Sequence, residues 1–152
     1  MCIRDRYPHS KKNIYLADDD DDDRIMFAEA LFEIDSTAIL TQAQDGQQLM
    51  NILYKQPNPL PDIIFMDINM PKQDGFKCLE EIRNQYGNLK ELFVIILSTS
   101  SDPLVIDKAF NLGATFYAVK PSTFDDLKSL IKDVLQIDWL SLEKRNLKFR
   151  LI

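Results

Sequence analysis

The chain has 152 residues, enough for one domain with a sizeable core, and its 45% hydrophobic and 28% charged content is that of an ordinary globular protein. The formal net charge of -6 resides in one run, Asp18 to Asp23; the other 18 acidic residues balance 18 basic ones, which excludes the basic footprint of a nucleic-acid binder. The longest apolar run, Leu92 to Leu97, falls far short of the ~20 residues a membrane-spanning helix needs, and no secretory segment follows Met1.

Residues 1–12 carry charge and Pro8 without periodicity and read as a disordered leader. The leader holds His9, the only histidine, which argues against histidine-based catalysis. Cys2 and Cys78 have neither metal nor redox spacing, so a reduced, cytoplasmic setting is expected. Asn13 to Ala17 is a short apolar strand. A helix from about Asp22 to Ile34 puts Phe27, Ala30, Leu31 and Ile34 on one face, with acids at its positive end. Ala38 to Ala43 is a second strand, and Asp45-Gly46 turns into a helix buried along Leu49, Ile52 and Leu53. Pro57, Pro59 and Pro61 stop that helix.

The apolar run Ile63 to Met66 then reads as a buried parallel strand that ends in a carboxylate, Asp67. Pro71 and Gly75 shape the loop before a third helix, with Phe76, Leu79 and Ile82 inward. Leu92 to Leu97 is the most hydrophobic strand and is expected at the centre, with Ser98 at its end. Asp102-Pro103 caps a fourth helix whose inner stripe is Ile106, Ala109, Phe110 and Gly113. Thr115 to Val119 is the fifth strand, followed by Lys120 and by Pro121, which makes a rigid turn open to a cis bond. Ser122 or Thr123 caps a fifth helix with Leu127, Leu130, Ile131 and Val134 inward.

This alternation predicts an α/β fold: a doubly wound, five-stranded parallel sheet of order 2-1-3-4-5 in a flavodoxin-like three-layer sandwich. The domain is expected over residues 13–137, with a tail over 138–152. Strands one, three, four and five would then deliver Asp18 and Asp19, Asp67, Ser98 and Lys120 to one edge. Clustered carboxylates repel, and Mg²⁺, a hard oxygen-seeking cation, resolves that repulsion. Asp67 can serve as a nucleophile toward phosphorus, forming an acyl phosphate, while Ser98 and Lys120 contact phosphoryl oxygens. Asp20 to Asp23 read as a solvated patch with a capping role.

Taken in order, Asp18-Asp19, Asp67 within Asp-Ile-Asn-Met-Pro-Lys-Gln-Asp-Gly, Ser98, Tyr117 and Lys120-Pro121 resemble the receiver domain of two-component response regulators, of the stand-alone, chemotaxis-regulator-like kind. The resemblance implies Asp67 as phosphoacceptor and Asp19 and Asp67 as direct Mg²⁺ ligands. Asp18 would act through water, and the backbone carbonyl of Asn69 would complete the set. Ser98 and Tyr117 would be the switch pair, with phosphoryl drawing Ser98 inward and Tyr117 rotating into the vacated space. Implied partners are a histidine kinase or histidine phosphotransfer protein and a downstream effector protein, with phosphorylation-dependent homodimers an option and neither nucleic acid nor membrane involved.

Two rival readings use the same residues. A phosphohydrolase of the haloacid-dehalogenase type favours a second Asp two residues after the nucleophile, where this chain has Asn69, whose amide cannot shuttle a proton. A pseudo-receiver would be an interaction module that never carries phosphate. About 15 residues follow the fifth helix, too few for an output domain of at least ~50. They include Trp139, Leu140 and Leu142, then an alternating Leu147-Lys148-Phe149-Arg150-Leu151 that suits a strand, an induced contact or a frayed end.

Overall fold

Side-chain alternation along five short apolar strands governs the computed structural model, which describes residues 11–137 and 148–152. The elements are β1 (Asn13–Ala17), α1 (Asp21–Ile34), β2 (Ile39–Ala43), α2 (Gly46–Tyr54), β3 (Ile63–Asp67), α3 (Gly75–Arg83), β4 (Val94–Ser98), α4 (Pro103–Asn111), β5 (Phe116–Val119) and α5 (Phe124–Leu135). A 3-10 turn at Gly87–Glu91, which periodicity does not reveal, leads into β4. All pairings are parallel, and the strand order is β2-β1-β3-β4-β5, as expected from the sequence.

The two sheet faces belong to different helices. Tyr15, Ile64, Met66, Ile96 and Tyr117 look toward the side packed by Leu49 and Leu53 of α2, Leu79 and Ile82 of α3 and Ala109 of α4. Ile14, Leu16, Phe65, Ile95 and Ala118 look the other way, onto Phe27 and Leu31 of α1 and Leu127, Ile131 and Val134 of α5. β1, β3 and β4 are buried at every position, which explains their unbroken apolar sequence. Phe65 is fully buried and meets Phe27 edge-to-face at 5.0 Å; truncating such a ring to alanine typically costs about 3–5 kcal/mol.

Each of the five α-helices starts on a side-chain cap. Asp20, Asp45, Asp74, Asp102 and Thr123 accept from the backbone N–H groups of Asp23, Gln48, Lys77, Leu104 and Asp126. Each satisfies a donor that the helix itself leaves unpaired. Thr123, not Ser122, is therefore the cap of α5.

Three local expectations are corrected. The inner stripe of α4 is Val105, Ile106, Ala109 and Leu112, so Ile106 and Ala109 stand as expected, whereas Phe110 is 61% exposed. Ala109, with no accessible surface, sets the rotation of α4 against the sheet and turns Phe110 outward. Gly113 lies beyond the helix, where its φ of +97° terminates α4 in a conformation that favours glycine. The Lys120–Pro121 bond is trans, and the cis bond is Asn58–Pro59. Cys78 is a core residue whose thiol burial pushes up to about 12, aided by the Asp74 and Asp45 carboxylates.

The leader through residue 10 and Trp139, Leu140 and Leu142 lie outside the described residues. The alternating segment does continue into Lys148–Ile152, where Arg150 pairs with Tyr117 as a parallel bridge on the outer edge of β5. Among the described residues no helix is long and apolar enough to cross a membrane.

Gly75 joins fold to site. A Cβ there would stand 2.3 Å from the carbonyl oxygen of Asp67 and 2.9 Å from Cα of Ile68. Because the obstacle is backbone, Gly75→Ala is expected to destabilise the protein by about 1–3 kcal/mol in urea unfolding.

Candidate functional site

Strand register builds the site. Ala17 pairs with Met66, Asp67 with Leu97 and Ser98 with Val119, so β1, β3, β4 and β5 end side by side. Two backbone bonds prolong the ladder past the strands: Asp18 N–H to Ala43 O at 3.1 Å, and Lys120 N–H to Ser98 O at 2.8 Å. Parallel strands in a doubly wound sheet present their carboxyl ends together, which is why residues 53 positions apart, Asp67 and Lys120, meet.

The Lys120 ammonium is the hub. Its Nζ donates to Asp18 Oδ2 at 2.9 Å, Asp23 Oδ2 at 2.9 Å and Asp67 Oδ2 at 3.2 Å. Oxygens of Asp18, Asp19 and Asp67 all lie within 4.8 Å of one another, Asp18 and Asp67 buried and Asp19 exposed. Burial pushes the carboxyls of Asp18 and Asp67 above the usual range even though Lys120 pulls them down. Burial also opposes the ammonium, but hydrogen bonds to Asp23 and Asp18 and the charge of Asp67 outweigh it and hold Lys120 firmly protonated. Among the described residues, the Lys120 ammonium thus faces four neighbouring carboxylates. Such an oxygen-only, negatively unbalanced cluster fits a hard divalent cation, with Asp18, Asp19 and Asp67 as the residues that could hold it.

The remaining expected residues take different places. Ser98 is buried at the end of β4, and its Oγ accepts from the Ser100 N–H at 3.1 Å. Asn69 is exposed in the loop after β3, and its N–H points back to Asp67 Oδ1 at 3.4 Å. Tyr117 does not end at the acid cluster. Its ring is fully buried on the α4 side of the sheet, and its Oη donates to Ser100 O at 2.7 Å. Ser100 thereby touches both Ser98 and Tyr117.

Two contributors escaped the sequence reading. Asp23, assigned to a solvated patch, is a direct partner of Lys120. Arg24 is buried, pairs with Asp21, and donates from Nη1 to the Asp18 carbonyl at 2.7 Å, tying α1 to the end of β1. Helical spacing carries the signal for both: Asp23 lies four residues before Phe27, and Arg24 three before it and seven before Leu31, so both sit on or beside the inward stripe of α1. Beside them a small cavity opens, walled by Met26, Phe27, Leu97, Pro121 and Leu127.

Comparison with known proteins adds an independent line. Residues 14–132 match the family profile described as the response regulator receiver domain. The chain is 34% identical over 124 residues to the "Probable chemotaxis protein CheY" of Rhizobium etli, covering 82% of this chain and 92% of that protein. It is 31% identical to the two-component response regulator ARR10 of Arabidopsis thaliana, covering 95% of this chain but spanning only 25% of that longer protein. Among solved structures, the phosphorylated cyanobacterial phytochrome response regulator RcpA superposes with a TM-score of 0.76 at 30% identity, over 86% of this chain and 95% of that one. The Mn²⁺-bound form of response regulator Rcp1 gives 0.68 at 27% identity, over 91% and 98%.

Stripping buried carboxylates of their cation is costly. Lys120→Met is expected to lower stability by about 3 kcal/mol in urea unfolding without divalent metal. Adding Asp67→Asn to that variant should recover part of the loss, because one buried charge is removed with its partner.

Proposed function

The chain belongs to the family of response regulator receiver domains, and on that premise we propose that Asp67 accepts a phosphoryl group from a phosphohistidine on a histidine kinase or histidine phosphotransfer protein. The observation that carries this reading is the three-way contact of Lys120 with Asp18, Asp23 and Asp67 beside the Asp18, Asp19 and Asp67 cluster. It supplies an acceptor oxygen, a cation in contact with it and a metal-ready set of acids within one mouth.

An Asp67 carboxylate oxygen attacks phosphorus; the new O–P bond forms as the N–P bond to the donor imidazole breaks, and the imidazole leaves with the electron pair. Positioning and charge neutralisation do most of the catalytic work in such a transfer. Lys120 already touches Asp67, so it can follow the arriving phosphoryl oxygens without losing its other carboxylate partners. The Ser98 hydroxyl, whose oxygen now accepts from Ser100, has its own proton free to offer a phosphoryl oxygen. Mg²⁺ held by Asp18, Asp19 and Asp67, with the Asn69 carbonyl, would neutralise the phosphoryl charge. Water then slowly attacks the phosphorus, the O–P bond to Asp67 breaks, and inorganic phosphate leaves as the free carboxylate is restored, so the domain is a self-catalysed switch.

Output follows from Ser98 and Tyr117. Because Tyr117 is already inward and bonded to Ser100, the phosphoryl group acts by holding that arrangement rather than by creating it. A bound ligand need only favour one of two packings that differ by a few kcal/mol. The face of α4, β5 and α5 then binds an effector protein or a second copy of the chain.

Incubation with Mg²⁺ and acetyl phosphate separates this from its rivals. A receiver gains the mass of one phosphoryl group on the Asp67 peptide and loses it slowly; Asp67→Asn and chelator each abolish the gain. Continuous release of phosphate with no stable adduct would instead identify a phosphohydrolase, and neither adduct nor turnover a pseudo-receiver.

A further inference from the structure

Parallel sheets end in edge strands whose free N–H and C=O groups invite another strand. On β5 that edge is occupied by the chain itself. The Tyr117 N–H donates to Phe149 O at 3.0 Å and the Leu151 N–H donates to Tyr117 O at 2.8 Å, so both backbone groups of Tyr117 are spent on residues 149–151. Phe149 meets the outward ring of Phe110 edge-to-face at 5.2 Å and lies 6.4 Å from the ring of Tyr117. Leu151 packs on the opposite core, with the α1 and α5 side of the sheet, so the segment straddles the strand edge. Ile152 closes one wall of a cavity shared with Val119, Lys120 and Pro121.

This seat singles out one residue. Tyr117 is held by its backbone to Phe149 and Leu151, and by its hydroxyl to Ser100, whose N–H is bonded to Ser98 Oγ. A continuous set of contacts therefore runs from the end of β4, beside Asp67, to the added segment. It also explains why Phe110, exposed on α4, carries a large aromatic ring: the ring is half of the clamp on Phe149.

We infer that Lys148–Ile152 is a displaceable strand on β5 that holds Tyr117 inward, and that its seating and the occupancy of Asp67 reinforce each other. The inference rests on the receiver reading, in which the phosphoryl group favours the inward ring. If the segment leaves, Tyr117 loses two backbone partners and its aromatic cover. The ring can then swing out, and the Ser100 loop relaxes into the vacated space, carrying Ser98 from Asp67. Coupling between two sites is reciprocal, so occupancy of Asp67 tightens the segment by the same factor.

The test uses the full chain with Mg²⁺ and beryllofluoride, a stand-in for the phosphoryl group. Leu151→Pro removes one bridging N–H, and Phe149→Ala removes the aromatic cover without touching the backbone. Amide exchange followed by NMR should show Tyr117 and Leu151 protected in the wild type, and more so by about five-fold with beryllofluoride. In either variant Tyr117 exchanges faster, the amides of α5 are unchanged, and beryllofluoride binds about five-fold more weakly. Equal protection of Tyr117 in the wild type and both variants overturns the seat. Equal beryllofluoride affinity, with Tyr117 deprotected, overturns the coupling while leaving the receiver reading intact. Failure of beryllofluoride to bind the wild type overturns the receiver reading and the coupling with it, and a deprotected Tyr117 in the variants would still mark the seat.

Discussion

One ammonium group among four carboxylates is the constraint around which this domain is arranged. Lys120 reaches Asp18, Asp23 and Asp67 from the end of β5, and Asp19 stands beside them. Burial alone would push the two interior acids toward their neutral forms, and the lysine is what keeps charge affordable there. The balance is deliberately incomplete, because a single positive charge leaves the cluster with excess negative charge. That excess is what a divalent cation and a phosphoryl group can each exploit, the one by adding charge and the other by replacing a carboxylate oxygen as the lysine's partner.

The sheet exists, functionally, to hold that imbalance in register. Strand order β2-β1-β3-β4-β5 makes β1 and β3 neighbours, so Asp18 and Asp67 end within reach of one cation. Fully buried β1, β3 and β4 leave the strand ends little freedom to drift. At Gly75 the chain comes so close to the Asp67 carbonyl that no side chain fits, locking the loop after β3 to the start of α3. Arg24 does the corresponding work after β1 by holding the Asp18 carbonyl. These are rigid supports. On the far side of Ser98, Ser100, Tyr117 and the strand added at Phe149 to Leu151 form a continuous chain of contacts. Rigidly held acids, linked by few bonds to a buried aromatic on the far side of β4, suit a site that must position chemistry yet transmit its outcome.

Much of this was readable from the residues in order. Short apolar runs between turn residues located the five strands and period-3.6 patterning the five helices, and the receiver family agrees with the resemblance carried by Asp18-Asp19, Asp67, Ser98 and Lys120-Pro121. Capping was legible at Asp102 because a proline follows the acid, a purely local rule. The misreadings share a cause. Asp23 lies in a uniform run of six aspartates, where its spacing of four from Phe27 is the one local mark, and the packing of α1 on the sheet is what turns it to Lys120. Phe110 satisfies a helical stripe as well as Val105 does, and the close approach permitted by Ala109 decided between them.

The amino-acid sequence alone therefore determined the order of elements, the buried faces of all the helices but α4, and which chemical groups end each strand, since these follow from short-range periodicity and turn chemistry. Tertiary structure alone decided which acids share the lysine, which way Tyr117 faces, and that residues 149–151 cover β5. Those outcomes depend on distances between segments far apart in the chain, and contacts of that range are set by how helices rotate and pack on the sheet rather than by any neighbouring residue.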